Sequence, residues 1–412
     1  MNHHRPPRTI GVLALLAVFV VAVFAAGCGD DDDGSSGGTA NGSEPIEVGA
    51  VLAQSGLFSQ YDIANTIGVQ LAAEDINREG GVDGREIDVA VGDYKSKPEL
   101  GGAVARELIG DGAQAIITSA DFDFGSPAAL AAQSQGVIAM SAGAEVPEFG
   151  VQGIGDLAFS MGTATNETAA AWAEWIHGER NGRSVFILED PTLAYDTSLC
   201  ANFEKRWGEL QGTQVLGKEV FKNTDPSIDV QITKLQSLDS EPDFIVLCSY
   251  PPGGATALRQ LRAAGVDTPV IAGDAFSGSA WLAGVPNLSD FYYTDYGSVY
   301  GDDPDPEVNE VVARARKRAD PPSAIVGVVL SAYSAIQGYA KAVEEAGSTD
   351  SEAVREALNE FDGVELLAGP TTFTPETHIN TERPLAVLQI QDGKGSFVQE
   401  FTPEKVPPIE FE

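Results

Sequence analysis

"IEVGAVLAQSGLFSQYDIANTIGVQLAAEDINREGGVDGREIDVAVGD", residues 46–93, holds a whole strand–helix–strand unit. "IEVGAVLA" is a β-rich apolar run. Ile63, Ile67 and Leu71 then recur at i, i+4 and i+8, one face of a helix expected over Asp62 to Arg78. Gly80-Gly81 supplies the stop for that helix, and "EIDVAVGD" is the next strand.

The same unit recurs downstream. A helix from Pro98 to Ile109, the strand "AQAIITSA", a helix from Ser126 to Gln135 and the strand "VIAMSA" complete a first set, with Pro98 and Pro127 suited to first-turn positions. After Thr163 a second set follows. Helices are expected over Glu167 to Arg180, Asp196 to Leu210, Asp229 to Leu238 and Gly254 to Ala264, with the strands "SVFILED", "TQVLGKEVF", "DFIVLCSY" and "PVIAGD" between and after them. Strands alternating with helices of this length are βαβ units on a parallel sheet, so the fold class is α/β with two lobes. Beyond "FYYTDYGSVY", helices over Pro306 to Arg318, Ser323 to Glu345 and Ser351 to Phe361 have no long strand between them and cap a lobe already built. The tail reads as short strands, with Asp392-Gly393 at a hairpin turn.

Upstream of the folded part, Met1 to Arg8 carries Arg5 and Arg8 without an acid and precedes the apolar stretch Ile10 to Ala26. This is a signal-peptide layout over residues 1–27. The stretch is shorter than the ~20 apolar residues of a typical spanning helix and ends in small residues before Cys28. Gly29 to Ser43 is acidic, rich in Gly and Ser, and has no aliphatic side chain larger than Ala, so residues 28–43 read as a tether.

Roughly 370 residues remain after the tether, enough for two substantial cores. The chain carries 61 acids against 25 bases, a formal net charge of -36, which argues against nucleic acid as a partner. Cys200 and Cys248 suit either a disulfide or two buried thiols.

Catalytic signatures are missing. No glycine-rich phosphate loop follows a strand, and there is no GxSxG elbow. His177 and His378 share no metal-ligand spacing, and Asp302-Asp303-Pro304-Asp305 lacks the glycine-turned spacing of an EF-hand, so a solvated loop is expected there. Neither an enzymatic role, a cofactor nor a metal is expected.

Ala25-Ala26-Gly27-Cys28 resembles a bacterial lipobox, with Ala25 where Leu is usual, which implies lipidation of Cys28 and anchoring to the membrane exterior. Residues 49–89 resemble the opening of the leucine/isoleucine/valine-binding family of ABC importer substrate-binding proteins through Ser55-Gly56, Tyr61, "AAEDIN", Gly80-Gly81 and Gly84. "ALRQLRAAGVDTPVIAGD", residues 257–274, resembles a second segment of that family. The resemblance implies a type I periplasmic-binding fold: two Rossmann-like lobes joined by three crossover strands near Thr163, Tyr296 and Gly369. The N-terminal lobe is expected over residues 44–163 and 297–368 and the C-terminal lobe over 164–296 and 369–412. It further implies a monomer that closes on a small molecule and hands it to an ABC permease. A signalling receptor of the same fold is the alternative.

Matched residue by residue, the resemblance puts Tyr61, Tyr195 and Tyr250 in the cleft and Asp274 opposite a ligand ammonium. Two segments depart from the family. In "TSADFDFGSPA", residues 118–128, Asp121, Phe122, Asp123 and Phe124 replace a serine-rich turn, and in "SAGAEVPE", residues 141–148, Glu145 follows Gly143 where a Thr is usual. Either these acids, with Gly143, meet the ligand, or Ser126 caps the helix, Pro127 starts it and the aspartates offset its dipole. With acids in the cleft, a cationic or polar-aromatic solute is expected as readily as leucine.

Overall fold

A computed structural model of the chain describes residues 44–410. The expected leader, the expected lipidation site Cys28 and the expected tether up to Ser43 lie outside the described residues.

The first sheet is five-stranded and parallel. Its strands are β1 (Ile46–Val51), β2 (Ile87–Gly92), β3 (Ala115–Thr118), β4 (Ile138–Ser141) and β5 (Ala158–Ser160), in the order β2-β1-β3-β4-β5. The central strands β3 and β4 are buried along their whole length, which is why they read as unbroken apolar runs. The three-residue strand β5 was not expected; it follows a loop broken by Gly150, Gly153 and Gly155 and has too few residues to show a period. The connecting helices are α1 (Ser59–Arg78), α2 (Pro98–Gly110) and α3 (Phe122–Ser134).

The second sheet has seven strands. β6 (Ser184–Glu189), β7 (Gln214–Val220), β8 (Phe244–Cys248), β9 (Val270–Ala272) and β10 (Phe291–Asp295) are parallel; α4 (Thr165–Gly178) leads into β6, and α5 (Ala194–Glu209), α6 (Asp229–Gln236) and α7 (Gly253–Ala263) join β6 through β9. After β10 the chain returns to the first lobe. There α8 (Pro306–Arg318), α9 (Val328–Ala346) and α10 (Ser351–Asn359) pack on α1 and β4, as caps on a lobe already built. Gly68 of α1 permits this close approach, because a Cβ there would lie 2.4 Å from the carbonyl oxygen of Val329. A short hairpin, β11 (Val364–Leu366) with β12 (Gly369–Thr371), precedes the last crossing. β13 (Leu385–Gln391) and β14 (Lys394–Phe401) then extend the second sheet in the antiparallel sense, so that sheet is mixed. Asp392 and Gly393 both take positive φ, 51° and 72°, as a two-residue hairpin turn requires.

The crossings are tied together from one side chain. Arg383 is fully buried and donates to the carbonyl of Met161 on the first crossing (2.9 Å), and to the carbonyl of Pro370 (3.1 Å) and the hydroxyl of Thr371 (2.8 Å) beside the third. Asn380 adds a donation to the Gly162 carbonyl at 3.2 Å, and the Ala164 amide donates to the Asn380 carbonyl at 2.8 Å. The returning segment also rests on the first lobe, where His378 stacks on Phe159 with ring centroids 3.8 Å apart. Burial lowers the His378 pKa to about 4, so the ring is a neutral packing element.

Three local expectations were resolved by the fold. Cys200 on α5 and Cys248 at the end of β8 form a disulfide. Asp302 and Asp303 accept from Ser298, Asp302 also accepts the Phe397 amide of the distant C-terminal segment at 2.9 Å, and Asp305 caps α8 through the Glu307 amide. The helix expected from Ser126 starts earlier, at Phe122: Asp121 is its N-cap, and Pro127 lies inside the helix rather than at its start. A carboxylate that reaches the Phe124 amide at 3.1 Å starts the helix five residues before the proline.

Candidate functional site

In both sheets strand order reverses beside the first strand, at β1/β3 and at β6/β8, and the loops leaving the carboxyl ends of these strands face one another. This is where open α/β sheets place ligands. The loop after β1 and the start of α1 supply Phe58 and Tyr61, the loop after β3 supplies Ser119 to Phe122, and that after β4 supplies Gly143 and Glu145. From the second lobe come Leu193 and Tyr195 after β6, Tyr250 after β8, and Asp274 with Ala275 after β9. Together they enclose a cavity of about 40 Å³, more than the ~10–15 Å³ that seats one water.

The first-lobe wall is organised by a carboxylate beneath it. Asp62 has no exposed surface and accepts from the Ala53 amide (2.8 Å), the Tyr94 hydroxyl (2.9 Å), the Ser119 hydroxyl (2.9 Å) and the Asn65 side chain (3.0 Å). It thereby joins β1, α1 and the end of β3 at one point. Burial outweighs these donors and raises its pKa to about 6.

Above it, Asp121 is pushed up to about 7 by burial and by the neighbouring Asp123. Glu145 accepts from the Tyr296 hydroxyl at 3.0 Å and the Thr168 hydroxyl at 3.4 Å, and burial with the nearby Asp274 raises its pKa well above the usual carboxylate range. On the opposite lobe the Tyr195 hydroxyl donates to Asp274 at 2.7 Å, and burial lifts Asp274 to about 6. Gly273 allows that pair, since a Cβ there would lie 2.0 Å from the Tyr195 hydroxyl.

Of the nine residues expected at the cleft, Tyr61, Asp121, Phe122, Gly143, Glu145, Tyr195, Tyr250 and Asp274 line this cavity. Asp123 does not. Its carboxylate turns to the other lobe and accepts the Ala194 amide, the first of α5, at 2.9 Å. Phe124 turns back to stack on Phe58 at 3.6 Å. Sequence reasoning missed Phe58, Ser119, Ala120, Leu193, Ala275 and Val328. Phe58 was within reach as an aromatic three residues before Tyr61, whereas Val328 arrives on α9 from a distant part of the chain and carries no local mark.

The lobes are shut on one another. Beside the Asp123 contact, the Tyr61 hydroxyl donates to the Ala275 carbonyl at 3.2 Å and Gln60 donates to the Pro251 carbonyl at 3.2 Å. Among the described residues no group of three metal-ligating side chains could hold an ion.

This geometry, two α/β lobes with a small enclosed chamber between strand ends, defines a protein that encloses a solute. The family model described as Periplasmic binding protein matches residues 45–395, and the chain belongs to that family, an extracytoplasmic group of solute-binding proteins rather than enzymes. Curated relatives include a Leu/Ile/Val-binding protein homolog of Brucella melitensis, 23% identical over 85% of this chain and 92% of the relative. Another is a leucine-, isoleucine-, valine-, threonine- and alanine-binding protein of Pseudomonas aeruginosa, 25% identical over 77% of this chain and 82% of its own length. Among solved structures, the branched-chain amino acid transporter substrate binding protein LivJ of Streptococcus pneumoniae, in complex with isoleucine, superposes with a TM-score of 0.74 at 22% identity, covering 86% of this chain and 99% of that one. The leucine binding protein LivK of Thermotoga maritima gives a TM-score of 0.74 at 19% identity, over 87% and 99%.

Proposed function

We propose that this chain is a lipid-anchored receptor that captures a small molecule, an amino acid or a related amine, amide or aromatic compound, and delivers it to an ABC importer. The observation that carries this reading is the chamber closed from both lobes, with Asp274 and Glu145 facing it beside tyrosines. The relatives' names, all amino-acid binders, support the substrate class and the importer. Lobes spanning 44–163 with 297–368, and 164–296 with 369–412, would rotate about the crossings that Arg383 ties, the segment up to His378 still resting on Phe159. Ligand binds the closed form better and so shifts the population toward it, and the permease reads that form. Lipid on Cys28 would hold the receptor beside the permease while the tether lets it turn.

The test is a thermal-shift panel of amino acids, amides, polyamines and aromatic acids on the purified mature protein. A ligand that binds the folded chain raises Tm by mass action. One class should do so, with a contraction of the radius of gyration in X-ray scattering; a panel with no effect rejects the reading.

A further inference from the structure

Several donors of the first-lobe wall are already engaged by this chain's own side chains. The Ser119 hydroxyl donates to Asp62 at 2.9 Å, and the Phe124 amide in the first turn of α3 donates to Asp121 at 3.1 Å. The amides of Gly143 and Ala144 both donate to the Ser141 hydroxyl, at 3.2 and 2.8 Å. Acceptors show the reverse pattern. Among the described residues the chamber is lined by three carboxylates, Asp121, Glu145 and Asp274, and by no Lys, Arg or His. The nearest buried base, Arg383, directs its donors to Met161, Pro370 and Thr371.

The three carboxylates form two groups. Glu145, held by the Tyr296 hydroxyl at 3.0 Å, and Asp274, held by the Tyr195 hydroxyl at 2.7 Å, line the chamber from opposite lobes, and Asp274 adds to the burial that raises the Glu145 pKa. Asp121 instead has Asp123 and Asp62 as acidic neighbours, and Tyr61 feels both Asp274 and Asp121. A further acid, Asp196, lies behind this second group with no exposed surface and no hydrogen-bond partner on either carboxylate oxygen. The lining thus offers acceptors to a cation from both lobes, whereas a zwitterion's carboxylate would meet no base among the lining residues.

Building on the solute-receptor reading above, we propose that the ligand is a small molecule with two cationic groups and no carboxylate, one seated by Glu145 and Asp274 and the other by Asp121. Tyr61, Tyr195 and Tyr250 pack along the apolar connection between them, with their rings available to the cations.

Calorimetry on the mature protein with putrescine, cadaverine and leucinamide against leucine, isoleucine and valine tests this. Putrescine or cadaverine should bind about 100-fold more tightly than leucine, and leucinamide, which keeps the amine and removes the carboxylate, should fall between them. Asp121→Asn retains a good helix cap and should weaken the diamine about tenfold or more while leaving Tm of the free protein within a few degrees. Diamine affinity should also fall on acidification from about pH 8 to about pH 5.5, as the chamber acids take up protons. Leucine, isoleucine or valine binding as tightly as the diamines, or more tightly at low pH, overturns the inference and leaves the receptor reading standing. If neither diamines nor amino acids bind, the inference is overturned, and the broader thermal-shift panel then decides the receptor reading separately.

Discussion

The carboxylate of Asp123, in the first turn of one lobe's helix, accepts the backbone amide of Ala194 at the start of a helix in the other lobe, 2.9 Å away and 71 residues later in sequence. An anion at a helix N-terminus is favourable, and a charged hydrogen bond of this kind contributes about 1.5–3 kcal/mol. The contact joins the two lobes across the cleft. Asp123→Ala should therefore weaken ligand binding about tenfold, mainly through faster release, without lowering Tm of the free protein by more than a few degrees. Stopped-flow dissociation and a denaturation curve separate the two effects; unchanged release removes Asp123 from closure.

Cys200 and Cys248 close a loop with a sequence separation of 48 residues. Loop-closure entropy for that length is worth about 4 kcal/mol at room temperature. The double substitution Cys200→Ala with Cys248→Ala should lower the urea midpoint by a corresponding amount, and reductant should lower it in the parent but not in the variant. Equal midpoints would mean that the bridge does not stabilise the fold.

Several buried acids titrate at higher pH in the folded chain than in the unfolded one: Asp62 and Asp274 at about 6, Asp121 at about 7 and Glu167 at about 8. Burial is the leading cause in each case. Between an ordinary carboxylate pKa near ~4 and these values the folded state holds more protons than the unfolded state, so stability falls as pH rises through the window. The ligand-free protein should melt at a higher temperature near pH 5 than near pH 8. Glu167→Gln removes one contribution; both Glu167 oxygens are buried without a hydrogen-bond partner, so the variant should show a flatter profile in scanning calorimetry. A profile that rises toward alkaline pH contradicts the assignment.

Arg383 is fully buried with its donors on Met161, Pro370 and Thr371. Arg383→Ala would leave those neutral acceptors unpaired, at a cost of about 1–3 kcal/mol for each one that stays buried without a donor. Arg383→Lys should recover little, because one ammonium does not reproduce a planar fork. Urea titration of the two variants reads this directly, and near-parent stability for either would show that the crossings hold without it.

Cys28→Ala should move the protein from the membrane fraction to the soluble extracytoplasmic fraction and abolish incorporation of labelled fatty acid. Retention in the membrane with no label would rule out the lipid anchor.

The alternation of strands and helices was legible in the chain because it rests on local facts: the spacing of Ile63, Ile67 and Leu71, the stop at Gly80-Gly81 and the turn at Asp392-Gly393. Tyr61, Tyr195, Tyr250 and Asp274 were reachable because the resemblance to the leucine/isoleucine/valine-binding family put them in the cleft, and all four line the chamber. The start of α3 was misread because proline and serine look like a helix beginning, and only the position of the Asp121 carboxylate shows that the amides were capped earlier. Val328 and the two short strands β5 and β11 had no such local sign.

By itself the sequence determined the order and kind of its elements, the acidic surface charge and the absence of recognised catalytic motifs, since periodicity and composition act over a few residues at a time. Tertiary structure alone decided which polar groups remain available in the chamber. Whether the Ser119 hydroxyl serves a ligand or Asp62, and whether Asp123 faces the chamber or the opposite helix, depends on atoms 57 and 71 residues apart being brought within 3 Å. A hydrogen bond used inside the protein is no longer offered to a solute, and no pattern along the chain records that.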